Sequence, residues 1–227
     1  MSKYLFGVCI ACLLSGTVAA GTKTWTFDEV AIRSLPTGWK CETMNKTNPL
    51  VTISVAADAT APGAKAGNRV LKVANYDPGA AYADCHLCWT TNIAFEDGTM
   101  EFDSKAAVDP NGYGGGVAWR IKDKNNYYAV RYSVKEGNLN VFKIANGKRQ
   151  GLGSGGRGTF ALDKRYHVKV VQSGSNISVS VDGKEIATAT DTSITGAGGV
   201  GVFQRANATI CSWDNFSVTT GAVPRKG

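Results

Sequence analysis

Short runs of β-branched and aromatic residues, each closed by Gly, Asn or Asp, recur from Gly21 to Val218, and no stretch of helical periodicity exceeds two turns. This spacing predicts strands joined by tight turns, because alternating apolar positions bury one strand face while Gly, Asn and Asp supply turn backbone angles. The clearest candidates are residues 70–73, 98–103, 116–121, 127–132 and 138–144, then 166–171, 176–181, 184–188, 200–203 and 208–218. Val181-Asp-Gly-Lys184 is a two-residue hairpin whose positive φ angles match strand twist. Ten or more strands at this spacing predict an all-β sandwich of two packed antiparallel sheets. Two Gly-rich segments, 56–68 and Gly151 to Gly158, lack the Gly-Lys-Ser/Thr ending and following helix of a phosphate loop, and are read as surface loops.

The N-terminus predicts the compartment. Lys3 is followed by an almost wholly apolar run from Tyr4 to Leu14, and Thr17-Val-Ala-Ala20 offers a small-residue cleavage site. That pattern predicts a signal peptide over 1–20, a domain over 21–220 and a polar tail over 221–227, with a secreted or periplasmic product. The run is shorter than the roughly 20 apolar residues a bilayer needs, so no membrane span is expected in the mature chain. Removing 20 residues from 227 leaves about 207, within the range of one β-sandwich. The formal charge of +7 is spread over isolated Lys and Arg, which favours weak attraction to anionic polymers without a nucleic-acid signature.

Four cysteines remain after the leader: Cys41, Cys85, Cys88 and Cys211. An even number in an oxidising compartment predicts structural disulfides, and of the three pairings Cys85 with Cys88 and Cys41 with Cys211 is the one expected here. Cys85-His-Leu-Cys88 is followed by Trp89, where a c-type haem would need His. Zinc lacks a full ligand set, since His86 and His167 are the only histidines.

The hairpin from Gly116 to Ser133 carries the candidate binding face. With Arg120 opposite Tyr127, residues Ala118, Arg120, Tyr127, Ala129 and Arg131 share one face, and Val117, Trp119, Tyr128, Val130 and Tyr132 share the other. The second set reads as core. The first sets two arginines and a tyrosine over a floor of alanines, an open face suited to sugar hydroxyls or carboxylates and to stacking on a sugar ring.

Several motifs occur in a suggestive order: Gly-Gly-Gly-Val-Ala-Trp-Arg (114–120), Asn-Asn-Tyr-Tyr-Ala-Val-Arg (125–131), Val-Phe-Lys-Ile-Ala-Asn-Gly-Lys-Arg (141–149), His-Val-Lys-Val (167–170), Val-Asp-Gly-Lys (181–184), Ala-Gly-Gly-Val-Gly-Val-Phe (197–203) and Trp-Asp-Asn-Phe-Ser-Val (213–218). Together they resemble the secreted laminin-G-like, 3-keto-disaccharide-hydrolase-like domains of the concanavalin-A-like superfamily. The resemblance implies a jelly roll whose concave sheet meets an oligo- or polysaccharide, and places Arg205 and Trp213 near that sheet. It also implies a structural calcium between the first and last strands, where Asp28 and Asp214 stand.

The same fold hosts lectins, binding modules and enzymes. A glycosidase needs two carboxylates flanking the bond. Glu101-Phe-Asp103 begins the Glu-x-Asp-x-x-Glu pattern of related glucanases, but 104–106 do not complete it, and the pair reads as the outward face of a strand whose Met100 and Phe102 point inward. The expected function is therefore glycan binding, through Arg120, Tyr127, Arg131, Arg205 and Trp213. A 3-keto-disaccharide hydrolase and a protein-binding laminin-G-like adhesion domain stand as rivals.

Overall fold

The computed structural model describes residues 21–60, 67–76, 84–107, 113–157, 160–205 and 210–221. The expected leader, residues 61–66 of the first Gly-rich segment and residues 222–227 of the tail lie outside these. The described residues form fifteen strands: β1 (Gly21–Trp25), β2 (Trp39–Thr43), β3 (Val51–Ala57), β4 (Arg69–Tyr76), β5 (Cys85–Phe95), β6 (Gly98–Ala106), β7 (Tyr113–Asp123), β8 (Asn126–Ser133), β9 (Asn138–Ala145), β10 (Lys148–Gly155), β11 (Arg165–Ser173), β12 (Asn176–Val181), β13 (Lys184–Thr190), β14 (Gly198–Arg205) and β15 (Cys211–Thr220). They build two antiparallel sheets. One has the order β13-β12-β11-β6-β15-β4-β3, with β1 added on β15, and the other the order β10-β9-β8-β7-β14-β5-β2.

Alternation drives the packing. Along β6, Met100 and Phe102 enter the core while Glu101 and Asp103 face outward. Along β8, Tyr128, Val130 and Tyr132 enter the same core, which lies between the sheets and also takes in Trp119, Val117, Val202 and Trp213. Two of the core tryptophans satisfy their polar edges: Trp119 Nε1 donates to Gln172 Oε1 at 2.7 Å and Trp213 Nε1 to the Gly116 carbonyl at 2.9 Å. The Val181 to Lys184 hairpin turns through Asp182 at φ +50° and Gly183 at φ +81°, as its sequence requires.

One segment read as a loop is a strand. Gly151 through Gly155 belong to β10, and a Cβ at Gly155 or Gly153 would lie 1.6 Å or 2.6 Å from the carbonyl oxygens of Ile186 or Thr188 on β13. The glycines let the edge strands of the two sheets close on each other, a need that hydrophobic periodicity does not signal.

Candidate functional site

The register across the seven-stranded sheet fixes which residues share its outer face, the one turned away from the inter-sheet core. Asn140 on β9, Arg131 on β8, Gly116 on β7, Phe203 on β14, Leu87 on β5 and Glu42 on β2 form one row. The adjoining row runs Phe142, Ala129, Ala118, Gly201, Trp89 and Lys40. Small residues therefore occupy the centre and aromatic residues flank them. Tyr127 packs on Phe203 at 6.3 Å between ring centroids, and Phe142 on Phe203 at 5.1 Å.

Tyr127 and Arg131 lie on this face, as alternation along β8 demands, and Arg205 joins them two residues beyond Phe203, paired with Cys85. Arg131 Nη2 donates to Glu136 Oε2 at 2.9 Å. Arg149 is a third cation here, opposite Ile144 and 4.5 Å from the Phe142 ring centroid. It had no place in the sequence reading, although the Asn146-Gly147 turn fixes the β9–β10 register and so puts it on the face of Ile144.

The three guanidinium charges converge on Cys85. Burial pushes its thiol up to about 11, while Arg205, Arg149 and Arg131 each pull the other way. Tyr127 is likewise held well above the ordinary phenol range, by burial first and then by the neighbouring Cys85. Its hydroxyl is buried and has no hydrogen-bond partner among the described residues. A buried hydroxyl without a partner is costly, which makes this atom a place where a ligand polar group would be favoured.

The face is not the open surface expected. Tyr127 and Arg131 are both 0% exposed and Arg205 is 4% exposed, so these groups are shielded from solvent rather than laid out as a platform.

Two other expected contacts lie elsewhere. Arg120 does not oppose Tyr127, because the β7–β8 ladder breaks after Trp119 and Tyr128, where Arg120 takes φ +46° and makes a bulge. Ile121 takes the outer-face position instead. The Arg120 guanidinium runs into one end of the sandwich, donating to the carbonyls of Glu96, Ile194 and Gly174 at 2.9 Å each and to Asp97 Oδ1 at 3.2 Å. Trp213 sits in the inter-sheet core, its ring pressed on Gly115, and cannot stack on a sugar at the outer face.

The expected disulfides are also corrected. Cys85 and Cys88 are three residues apart on an extended strand, with Cys85 in the outer layer and Cys88 in the inter-sheet core, so their side chains point to opposite faces. Cys41 lies opposite Cys88, and Cys211 opposite Ala106 in the other sheet. None of the four is disulfide-bonded.

Asp28 and Asp214 do approach each other. Burial raises the Asp214 carboxyl first, and the Asp28 charge raises it further, against the Asn215 amide, Asn68 and Arg165. Asp28 Oδ1 accepts from the Arg69 amide at 2.8 Å. Among the described residues no cluster of three or more His, Cys, Asp or Glu suited to a metal occurs, so Asp28 and Asp214 are the only two acidic side chains the expected cation would have here. A calcium here would draw its remaining oxygens from backbone carbonyls and water.

Glu101 and Asp103 face outward from the eight-stranded sheet. Glu101 pairs with Lys169 at 2.8 Å, and Asp103 engages His167 Nδ1 and Asn215 Nδ2, both at 2.8 Å. No helix among the described residues is long and apolar enough to cross a membrane.

No protein-family model and no curated protein matches this chain. Solved structures do. A carbohydrate-binding module from Bacillus subtilis aligns with a TM-score of 0.57 at 19% identity, covering 83% of this chain and 99% of that one. Domain 4 of an extracellular arabinanase from Geobacillus stearothermophilus, solved in complex with arabinotriose, gives 0.56 at 13% identity, covering 88% and 92%. A Bacillus licheniformis β-glucanase gives 0.54 at 12% identity, covering 88% and 98%. At these identities the likeness speaks to the fold alone, an all-β jelly-roll sandwich of two antiparallel sheets.

Proposed function

We propose that this chain is an extracytoplasmic glycan-binding module, holding its ligand on the outer face of the seven-stranded sheet through Tyr127, Arg131 and Arg205. One observation carries the reading: the Tyr127 hydroxyl is buried without a partner in the same apolar layer where Arg131, Arg149 and Arg205 gather. Sugar hydroxyls would satisfy the phenol, and sugar carboxylates or sulfates would suit the guanidinium forks. Because the face is shielded, a ligand replaces existing cover rather than landing on bare surface. The similar structures, a carbohydrate-binding module and an arabinanase domain solved with arabinotriose, support the same reading. Hydrolysis through Glu101 and Asp103 is disfavoured, since both carboxylates are tied into pairs on the other sheet.

A glycan array probed with residues 21–227 identifies the ligand, and calorimetry then measures the variants. Arg131→Ala and Arg205→Ala should each weaken binding by about 1.5–3 kcal/mol, roughly ten- to hundredfold. Tyr127→Phe should weaken it less, by about 1 kcal/mol, because only one neutral hydrogen bond is lost. If all three variants bind as the parent does, the reading fails. Release of reducing sugar would favour the hydrolase, and retention of a protein partner without any glycan would favour the laminin-G-like adhesion domain.

The same proposal includes a structural calcium at Asp28 and Asp214. Chelator should lower the melting temperature by several degrees and added calcium should restore it, since a ligand that binds only the folded state stabilises it by mass action. An unchanged melting curve would retire the site.

A further inference from the structure

We propose that Cys41 and Cys88 are an oxidative modification site: a dithiol that closes into a single cross-strand disulfide by exchange with an external disulfide, tying edge strand β2 to β5. The geometry carries this. Trp39, Lys40 and Cys41 on β2 face Thr90, Trp89 and Cys88 on β5 in one continuous antiparallel register. Directly opposed residues in such a ladder have Cα atoms about 4.5–5.5 Å apart, inside the roughly 4.4–6.8 Å range of disulfides. Both side chains point toward the inter-sheet core, where Cys88 is fully buried and Cys41 packs against the cluster from the edge. The two thiols lie close enough for each to shift the other's pKa, and Cys41 Sγ faces the Ile53 carbonyl at 4.0 Å. Neither of the other cysteines competes, because Cys85 points to the opposite face and Cys211 belongs to the other sheet.

The two thiols are unequal, which assigns the order of events. Cys41 is half-buried at a sheet edge, and its interaction with the Cys88 thiol lowers its pKa. Burial holds the Cys88 thiol well above its ordinary range. Cys41 thiolate therefore attacks the external disulfide, forming a mixed disulfide and expelling one thiolate. Cys88 then gives up its proton to solvent and attacks the Cys41 sulfur, which breaks the mixed disulfide and expels the second thiolate. The dithiol loses two electrons and the external disulfide becomes two thiols. The consequence is mechanical: β2 joins its sheet only through β5, and a covalent tie removes its freedom to peel away.

The test equilibrates reduced protein with oxidised glutathione, quenches with acid, and maps unreduced peptides by mass spectrometry. A single Cys41–Cys88 linkage is expected, with Cys85 and Cys211 alkylated once the protein is unfolded. The oxidised form should melt roughly 5–15 °C above the reduced form. Cys41→Ser and Cys88→Ser should each abolish that difference, whereas the Cys85→Ser, Cys211→Ser double variant should keep it. A linkage to Cys85 or Cys211, four alkylatable thiols after equilibration, or a melting difference that survives Cys41→Ser would overturn the proposal. Peptide mapping of the parent protein decides the matter even where a variant folds poorly.

Discussion

Replacing Arg120 with alanine should destabilise the domain by about 3–5 kcal/mol, a fall in melting temperature of roughly 6–20 °C. The side chain is only 5% exposed, and its donors close three separate segments onto one another: the turn at Glu96 and Asp97, the turn at Gly174, and the loop at Ile194. Truncation strips three carbonyls of a charged donor and leaves Asp97 without its cation in a partly buried place. Lysine should not rescue, because one ammonium cannot reach the directions that a planar fork spans. Lys122 is the control. It lies two residues further along, with Nζ bonded to the Gly196 and Ala197 carbonyls at the surface, and Lys122→Ala should cost under about 1 kcal/mol. Equilibrium denaturation of the two variants measures the contrast. A solvent-facing ligand contact would behave the other way, losing affinity while the melt stayed put. An Arg120→Ala protein as stable as its parent would return this residue to the list of binding candidates.

Arg120 also marks where the sequence stops being legible. Alternation along β8 sorts Tyr127, Ala129 and Arg131 from Tyr128, Val130 and Tyr132, and the ladder between β7 and β8 holds from Gly116 to Trp119. A period-two pattern carries no mark of a bulge made by a non-glycine residue at positive φ, so the residue after Trp119 was carried onto the wrong face. Trp213 was expected at the sheet from the resemblance alone, and alternation could not have corrected it. It and Phe216 are both in the core although they are three residues apart, because the β6–β15 ladder shifts between Asp214 and Ser217, with Asn215 at φ +49°. The cysteines needed a non-local fact: β2 was not recognised as a strand, so nothing placed Cys41 beside Cys88. Glycines in β10 offer no side chain to alternate, so the strand is visible only once β13 is seen against it. What could be read was therefore local periodicity and turn chemistry. What could not was register across long loops.

Stability should fall as pH drops from about 6.5 toward 4, and His86 is the cause. The ring is 1% exposed, with Nδ1 2.7 Å from Thr43 Oγ1. That hydroxyl also accepts the Leu50 amide at 2.9 Å, while Nε2 on the far side of the ring is buried without a partner among the described residues. Protonating the ring would create a buried cation whose Nε2–H has no acceptor among the described residues. Burial accordingly pushes the His86 pKa down to about 4, only partly offset by the Asp84 charge. The sign follows from proton binding: between its ordinary value of 6.5 and about 4, the unfolded chain holds a proton on this ring that the folded chain does not. Acid therefore favours unfolding across that window, by up to about 1.4 kcal/mol per pH unit and about 3 kcal/mol in all. Asp191 and Asp58, whose carboxyls are both lowered in the fold, add their losses below the ordinary carboxylate pKa of 3.8, so the two effects separate along the pH axis. Urea denaturation at half-unit steps from pH 7.5 to 3 resolves the slope. His86→Gln, which can still accept from Thr43 but cannot titrate, should flatten the curve above pH 4 while leaving the steeper loss below it. If parent and variant show the same slope between pH 6.5 and 4, the acid sensitivity belongs to another group and His86 is not held neutral by its burial.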